Sequence, residues 1–235
     1  MKTSSGLKKD IKLAFLSSIP VMTGYLVLGI GFGVVFRAQG YGLIWAFLTS
    51  FLIYAGSMQF VLVNLLTSGA SLLTTALTTL AVNARHLFYS LSMIDKYRGS
   101  GWKKPYLIFA LTDETYSLVC SDTNTGKADK PLRYCFLVSL FDQCYWVTGS
   151  VLGALLGAVI PFSTEGIDFA LTALFITVFV DQWRATKDHL PALIGLGASV
   201  LCLVIFGAED FLIPAMTVIA LALTLMHKKG GAKHE

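Results

Sequence analysis

The chemically most demanding stretch of the chain is a charged pair inside an apolar run. Arg85 and His86 lie side by side in Ser71 to Met93, which otherwise holds only apolar, small, amide or hydroxyl side chains. An arginine at the centre of a membrane helix costs about 2.5–3.5 kcal/mol on insertion scales, so such groups face a bundle interior or a water-filled path. Arg85, His86 and the neighbouring Asn83 are therefore candidate site residues. Alternatively, residues 83–86 form a break between two short helices at a membrane surface.

Two adjacent carboxylates lie in another short apolar run, Pro105 to Cys120. Asp113 and Glu114 stand there next to Tyr116. Burying two carboxylates is costly for the same reason as burying an arginine, which makes all three residues candidates for a polar site. Alternatively, Asp113 caps a short helix that begins at residue 114.

A third stretch, Tyr54 to Phe60, places polar side chains next to small ones in a run without charge. Small residues beside Ser57 and Gln59 can expose backbone to a substrate cavity. The same pattern also fits close helix packing through Ala55 and Gly56, with the polar side chains bonding across the contact. We keep both interpretations.

These residue types together fit the binding of an amino acid zwitterion. The fork of Arg85 matches a carboxylate, and Asp113 or Glu114 suits an ammonium group. Asp142, the one charge in the run Tyr134 to Ile160, and His86 are candidates for proton coupling, because intramembrane carboxylates and histidines recur in proton relays. Further polar side chains would orient the substrate and two aromatic rings would line its pocket: Tyr54, Ser57, Gln59, Asn83, Tyr116, Phe60 and Phe88. Alternatively, Arg85 with Asp113 or Asp142 forms a structural ion-pair network that binds nothing.

Composition determines which elements must hold these residues. The 235 residues are 55% hydrophobic and only 14% charged, and the mean hydropathy is +0.69, whereas a soluble domain carries about 25% charged residues. The sequence therefore predicts an all-α integral membrane protein, a polytopic helical bundle. The net charge of +4 gives no case for nucleic acid, because the basic residues fall in short clusters and do not line one face.

Apolar runs separated by turn signals predict about six to eight transmembrane segments. The four cysteines show no metal-binding spacing and read as small buried thiols, so we expect no metal and no cofactor. The eight runs are Ala14–Phe36, Leu43–Leu66, Ser71–Met93, Pro105–Cys120, Tyr134–Ile160, Ile167–Val180, Leu190–Phe206 and Phe211–Met226.

The two parts of the chain on either side of the polar stretch Ser121 to Arg133 contain similar residues at positions whose numbers differ by 124. This offset places Gly29, Gly33, Gly42 and Ala46 on Gly153, Gly157, Gly166 and Ala170. Repeated halves with glycine-interrupted helices are typical of secondary transporters, whose site lies near mid-membrane. We predict one transport domain, 1–235, with repeat halves 14–104 and 134–226 and broken helices. Chance remains the alternative, because the identities are few.

The same offset matches Ser57 to Asp181 and residues 83–86 to 207–210, which predicts a broken helix in Ser71–Met93 as in 190–226. Glycines Gly149, Gly153 and Gly157, at a four-residue spacing, predict a packing face of small residues.

Basic clusters conflict with eight full spans. Lys8–Lys12, the 96–104 loop and the C-terminal lysines all favour the cytoplasm by the positive-inside rule. Three spans separate the first two clusters and five separate the last two, so they cannot share one side. Either a run is re-entrant or one cluster is external; we expect residues 8–12 to be cytoplasmic.

Four segments in this order resemble the AzlC family of bacterial branched-chain amino acid exporters. They are Tyr54–Phe60, Asn83–Tyr89, Leu111–Tyr116 and Gly166–Ala170, and the resemblance runs from about Ile19 to Met226. It implies a multi-pass protein of the bacterial inner membrane, surrounded by lipid, that exports valine, leucine, isoleucine or a toxic analogue. It also implies a small AzlD-type membrane subunit as partner, and it assigns no residue roles.

Two other function classes compete with an exporter. An intramembrane enzyme would use Arg85, His86, Asp113 and Glu114, but HExxH and GxSxG signatures are absent. An accessory subunit of a partner channel is the other alternative. The sequence has no GxxxxGK[ST] segment, so coupling is to an ion gradient, to a partner ATPase, or absent.

Overall fold

The structure, a computed structural model, describes residues 3–120, 132–159 and 189–211, together with isolated residues between 176 and 226. In these ranges the structure describes the backbone but not the side chains of residues 3–6, Arg85, Phe88 and residues 208–210. All regular structure in the described ranges is helical. The elements are α1 (Thr3–Ala38), α2 (Leu43–Leu52), α3 (Gly56–Thr67), α4 (Leu72–Ser92), a 3₁₀ turn (Gly101–Lys103), α5 (Lys104–Phe109), α6 (Asp113–Cys120), α7 (Leu132–Val159) and α8 (Leu190–Asp210).

Exposed apolar side chains cover these helices. Ile44, Leu72 and Val204, for example, are 72%, 90% and 79% exposed, which suits a surface that faces lipid. Among the described residues, three helices are long and apolar enough to cross a membrane: Leu7–Ala38, Leu132–Val159 and Leu190–Gly207. The prediction of a helical membrane protein is confirmed, and the number of six to eight spans stays a prediction.

Two compact units divide the chain. One contains the described residues of Met1–Ala70 and Val82–Ile167, and the other contains those of Ser71–Ala81 and Asp168–Glu235. The candidate side chains whose contacts are described all belong to the first unit. In the second unit, α8 has a non-helical residue, Gly207, with φ +77°, where the sequence predicted a break.

Helices α1 and α7 form the frame of the first unit and run parallel. Phe15 contacts Phe141 edge-on at a centroid distance of 6.0 Å, and Tyr25 contacts Trp146 at 5.5 Å. The residue numbers increase together along both helices, which fixes the parallel direction. The middle of α7 therefore lies beside Tyr25, within the span of α1.

Glycines bring the backbones of α1 and α7 together. A Cβ atom on Gly33 would lie 2.5 Å from Ala154 N, and one on Gly153 would overlap Ile30 O. Only small residues permit so close an approach, and dispersion between backbones then stabilises the pair. The predicted packing face of Gly149, Gly153 and Gly157 is confirmed.

The second apolar run does not form one helix, because the chain reverses at Ile53–Ala55. Helix α2 begins next to α1, where Tyr41 stacks on Phe36 at 4.6 Å. Helix α3 begins beside Trp146, which would lie 3.1 Å from a Cβ atom on Gly56. It then returns toward the C-terminal end of α1, where the ring of Phe60 lies 5.6 Å from that of Phe32. We call α2 and α3 the first hairpin; both of its ends lie toward the C-terminal end of α1.

The fourth apolar run also reverses, at Ala110–Thr112. Helix α5 runs along α7 from Phe136 to Gln143. Just before α5 begins, the ammonium of Lys103 lies 4.9 Å from the centre of the Phe136 ring, and within α5 Tyr106 Oη donates to Gln143 Oε1. Helix α6 returns to a cluster of buried residues that includes Ala14 and Tyr134. We call α5 and α6 the second hairpin; both of its ends lie toward the N-terminal ends of α1 and α7.

Tyr97, in the turn after α4, belongs to that same buried cluster. Burial raises the pKa of its phenol above the ordinary value, so it stays neutral.

Two predictions of a break at Asn83–His86 are wrong, the alternative of a break at a membrane surface and the broken helix that the repeat predicted. Helix α4 is continuous from Leu72 to Ser92, so residues 83–86 form no break, either at a surface or as the repeat predicted. The repeat halves stay a prediction. Several residues that the offset matches lie outside the described residues (Gly166, Ala170 and Asp181), as do the Ser121–Pro131 part of the predicted boundary and the C-terminal lysines.

Candidate functional site

The breaks of the two hairpins meet beside the middle of α7. The rings of Tyr54, in the first break, and Phe109, at the second, have centroids 6.1 Å apart. Gln143 joins the two hairpins: its Nε2 donates to Phe51 O at 3.1 Å, and its Oε1 accepts from Tyr106 Oη at 2.8 Å. Broken helices that meet at mid-bundle are where transporters place polar sites.

The first break holds a strained residue. Tyr54 has φ +44°, a left-handed conformation that is uncommon for a bulky side chain. Its ring is 3% exposed, so packing around the break over-determines the conformation. Backbone strain of this kind is often found at functional sites.

The second break begins helix α6 with a hydroxyl cap. Thr112 Oγ1 accepts from Thr115 N at 3.3 Å, the bond that an N-cap side chain makes to the third helical residue. The helix therefore starts at Asp113 and not at residue 114, so the predicted Asp113 cap is wrong. Asp113 and Glu114 occupy the first turn, where the helix dipole favours negative charge.

Hydroxyl groups connect two carboxylates across α1, α6 and α7. Tyr25 Oη donates to Glu114 Oε2 at 2.6 Å and lies 2.7 Å from Thr112 Oγ1. Thr112 Oγ1 donates to Thr115 Oγ1 at 3.1 Å, and Thr115 Oγ1 donates to Asp142 Oδ2 at 2.8 Å. Thr115 and Asp142 are fully buried. We call these five residues the hydroxyl chain.

Neutral amide and indole groups tie the first hairpin to α7. Trp146 Nε1 donates to Gln59 Oε1 at 2.7 Å, and Gln59 Nε2 donates to Ser50 Oγ at 3.0 Å. All three side chains are buried, at 2% exposure or less. Gln59, predicted to orient a substrate, therefore has both ends of its amide engaged inside the protein.

Beyond the first turn of α6, side chains of α4 and α6 form a cluster that we call the aromatic group: His86, Tyr89 and Tyr116. Tyr89 stacks on Tyr116 at 4.6 Å, and His86 contacts Tyr89 at 6.1 Å. Ser92 Oγ donates to Tyr116 Oη at 3.1 Å. Arg85 lies in α4, but its side chain is outside the described residues, so its predicted carboxylate and ion-pair roles stay predictions.

The structure thus separates the predicted residues into two sets. Tyr54, Gln59, Glu114 and Asp142 bond or pack around the hairpin breaks, with Asp113 beginning α6 there. Tyr116 and His86 belong to the aromatic group, and Ser57 and Asn83 are half-buried on α3 and α4.

Sequence reasoning missed five residues that build the site: Tyr25, Thr112, Thr115, Gln143 and Trp146. A signal was present for each, since each is a hydrogen-bonding side chain in an apolar run. In the described part of the chain, histidine, cysteine and acidic residues form no cluster of three or more that could hold a metal.

Comparison with known proteins gives a family and several relatives. The family model described as AzlC protein matches residues 20–160. The chain is 43% identical over 97% of its length to the "Branched-chain amino acid transport protein AzlC" of Bacillus subtilis, of which it covers 89%. It is 40% identical to an "Uncharacterized membrane protein" of Helicobacter pylori, covering 94% of this chain and 96% of the relative.

A more distant relative is the "Inner membrane protein YgaZ" of Escherichia coli, 27% identical over 78% of each chain. No solved structure matches the chain.

Proposed function

Because the chain belongs to the AzlC protein family, we propose that it is a bacterial inner-membrane transporter that exports branched-chain amino acids. The name of the Bacillus relative supports the substrate class, and the membrane relatives support the location. Export, as opposed to uptake, is part of the proposal.

One observation carries the proposal: carboxylates and hydroxyls lie where the breaks of two opposed hairpins meet, between candidate membrane spans α1 and α7. A structural membrane protein gains nothing from buried carboxylates there, because desolvation penalises them. A transporter needs such a site midway along its spans, where a polar solute can be bound from either side in turn.

The zwitterion needs a separate group for each of its charges. We assign the ammonium to Asp113 or Glu114, since both stand in the first turn of α6, and the carboxylate to Arg85. The N-terminus of α3, at Gly56, also lies at the meeting point, and the positive end of its helix dipole suits an anion. We assign the orientation of the substrate to Tyr54, Ser57 and Asn83, and the walls of its pocket to the rings of Phe60 and Phe88. Gln59 and Tyr116, whose polar groups bond to other side chains of the protein, are left with structural roles.

Coupling and assembly complete the proposal. Transport is driven by an ion gradient, with Asp142 and His86 as the proton-coupling groups and no cofactor. A small AzlD-type membrane subunit is the partner, and lipid surrounds the exposed apolar helices.

The test is efflux of labelled valine, leucine and isoleucine from preloaded cells that express this chain alone or with the small subunit. We expect efflux above empty cells that collapses with an uncoupler. Asp113→Asn and Arg85→Gln should abolish efflux at unchanged membrane abundance. Asp95→Asn is the matched control, because Asp95 is exposed and forms its ion pair with Arg98, at 2.9 Å, in the turn after α4.

Two outcomes would contradict parts of the proposal. Wild-type efflux in both Asp113→Asn and Arg85→Gln removes the assigned zwitterion site. Absence of efflux for every branched-chain amino acid, with and without the small subunit, removes the substrate class.

A further inference from the structure

We propose that Glu114 and Asp142 share one proton through the hydroxyls of Tyr25, Thr112 and Thr115, so that the hydroxyl chain is a proton-binding site. The inference deepens the proposed transport function, because that function gives the proton its use. The binding of the proton itself depends only on the hydrogen-bond geometry.

The geometry is an unbroken series of four contacts between two carboxylates. The contacts measure 2.6, 2.7, 3.1 and 2.8 Å from Glu114 Oε2 to Asp142 Oδ2. All lie within hydrogen-bonding distance for oxygen pairs, and the first, second and fourth are near the usual optimum. Tyr25, Thr112, Thr115 and Asp142 are all at most 7% exposed, which leaves little room for water to replace a missing donor.

Counting donors shows that the series lacks one proton. With both carboxylates ionised, the three hydroxyls supply three protons for four contacts. Tyr25 donates to Glu114, Thr112 to Thr115 and Thr115 to Asp142, so nothing remains to donate between Tyr25 and Thr112. Two hydroxyl oxygens 2.7 Å apart without a proton between them repel each other. One added proton completes all four hydrogen bonds.

The added proton has two equivalent placements. With the proton on Glu114, its carboxyl donates to Tyr25 and Tyr25 donates to Thr112. Thr112 still donates to Thr115, and Thr115 to ionised Asp142. With the proton on Asp142 instead, all four hydrogen bonds run in the opposite direction, and the series ends with Tyr25 donating to ionised Glu114. Conversion breaks one O–H bond and forms another at each link, so one proton leaves Glu114, one arrives at Asp142 and no other species changes.

The surroundings of Asp142 favour a bound proton. Its Oδ2 accepts only from Thr115, and its Oδ1 has no hydrogen-bond partner among the described residues. An ionised, fully buried carboxylate normally has several donors, so a single donor leaves the charged form poorly stabilised.

Among the described side chains, the titratable groups that face the two carboxylates supply no positive charge. They are phenols from four elements: Tyr25 on α1, Tyr54 at the first break, Tyr106 on α5 and Tyr145 on α7. On α6 itself Asp113 precedes Glu114, and on α4 His86 contacts Tyr89, which stacks on Tyr116 of α6.

Infrared difference spectroscopy during a pH titration of the purified full chain in lipid tests the proposal, by counting protonated carboxyl groups. The wild type should lose one protonated carboxyl per chain in one transition. Glu114→Gln and Asp142→Asn should each abolish that signal, because the amide supplies the fourth donor in place of the proton. A signal that persists in either variant overturns the shared proton.

Variants in the middle of the series separate sharing from mere proximity. Tyr25→Phe removes the link, so the single transition should vanish or split into two. Tyr145→Phe is the matched control: its phenol is 3.2 Å from Ser18 Oγ, also between α1 and α7 but outside the series, and the transition should stay. Thr115→Ser should keep the transition and Thr115→Val should lose it. Equal spectra for Tyr25→Phe and wild type overturn the proposal.

The measurement needs neither substrate nor transport, so it distinguishes two failures. If the shared proton is observed but the chain exports no branched-chain amino acid, the proton-binding site is supported and the proposed function is wrong. Efflux without the shared carboxyl signal would mean the reverse.

Discussion

The two hairpins approach α7 from opposite ends with the same architecture and different chemistry. The first hairpin reaches α7 through neutral groups, with Gln59 held between Trp146 and Ser50. The second reaches α1 and α7 through carboxylates and hydroxyls, with Glu114 and Thr115 as its contacts. An amide–indole bond has a fixed direction, whereas a carboxyl–hydroxyl series can gain, lose or reverse a proton.

This difference teaches that equivalent positions need not do equivalent work. The first hairpin is built to hold its place on α7, and the second is built to change state while it stays in place. Gln143, which bonds both hairpins, is where the two roles meet.

The largest expected effect removes the frame on which both hairpins depend. Gly33→Val places a side chain into the backbone of α7 at Ser150 and Ala154, so α1 and α7 must separate. We expect no folded protein by size-exclusion chromatography in detergent. Gly31→Val is the control, because a Cβ on Gly31 has nothing within 4 Å. Equal yields for the two variants would contradict the close approach.

The next prediction separates the hairpins by function. Glu114→Gln supplies an amide donor to Tyr25 in place of the shared proton, so the series stays hydrogen-bonded, but the variant removes the negative charge and the proton-binding group. We expect efflux to fall by about 10- to 100-fold, at unchanged membrane abundance and melting temperature. Efflux above half of the wild-type rate would place the working carboxylate elsewhere.

The matching change in the first hairpin should act on stability. Gln59→Leu leaves the buried Trp146 N–H and Ser50 hydroxyl without partners, at about 1–3 kcal/mol for each unsatisfied group. We expect a lower melting temperature, with efflux per folded molecule within about twofold of wild type. Trp146→Phe added to Gln59→Leu removes the orphaned donor and should recover part of the loss. A large loss of efflux at unchanged stability would show that Gln59 itself contacts the substrate.

The smallest effect sharpens the comparison within the second hairpin. Tyr116→Phe keeps the stacking on Tyr89 and loses only an exposed hydrogen bond from Ser92, about 0.5–1.5 kcal/mol. We expect near-wild-type efflux and a small drop in melting temperature. A loss as large as that of Glu114→Gln would restore Tyr116 to the substrate site.

Hydropathy and family resemblance predicted the helical membrane class, and the four-residue glycine spacing predicted the face on α7. The break of the first hairpin escaped prediction because Ile53, Tyr54 and Ala55 are apolar and include neither glycine nor proline. At the second break, the alternative in which Asp113 caps a short helix came within one residue of the observed helix start at Asp113. Tyr54 adopts its left-handed conformation because packing imposes it, which no local pattern reports. The hydroxyl chain escaped for a similar reason: Tyr25 and Thr112 are 87 residues apart, and only the tertiary packing brings them together.

The parallel direction of α1 and α7 also predicts which segments of the chain share one side of the membrane. If both helices cross the membrane, the segment between them must cross an odd number of times. Each hairpin returns to the side from which it enters and adds no crossing, so we predict that α4 makes the crossing, although only its Leu72–Ala84 part is apolar. Residues 8–12, the 96–104 loop and Arg133, which is 3.6 Å from Asp10, then share one aqueous side. The positive-inside rule predicts that this side is the cytoplasm, so Lys12→Cys and Lys103→Cys should both resist an impermeant thiol reagent in intact cells. Labelling of one but not the other would contradict a shared side.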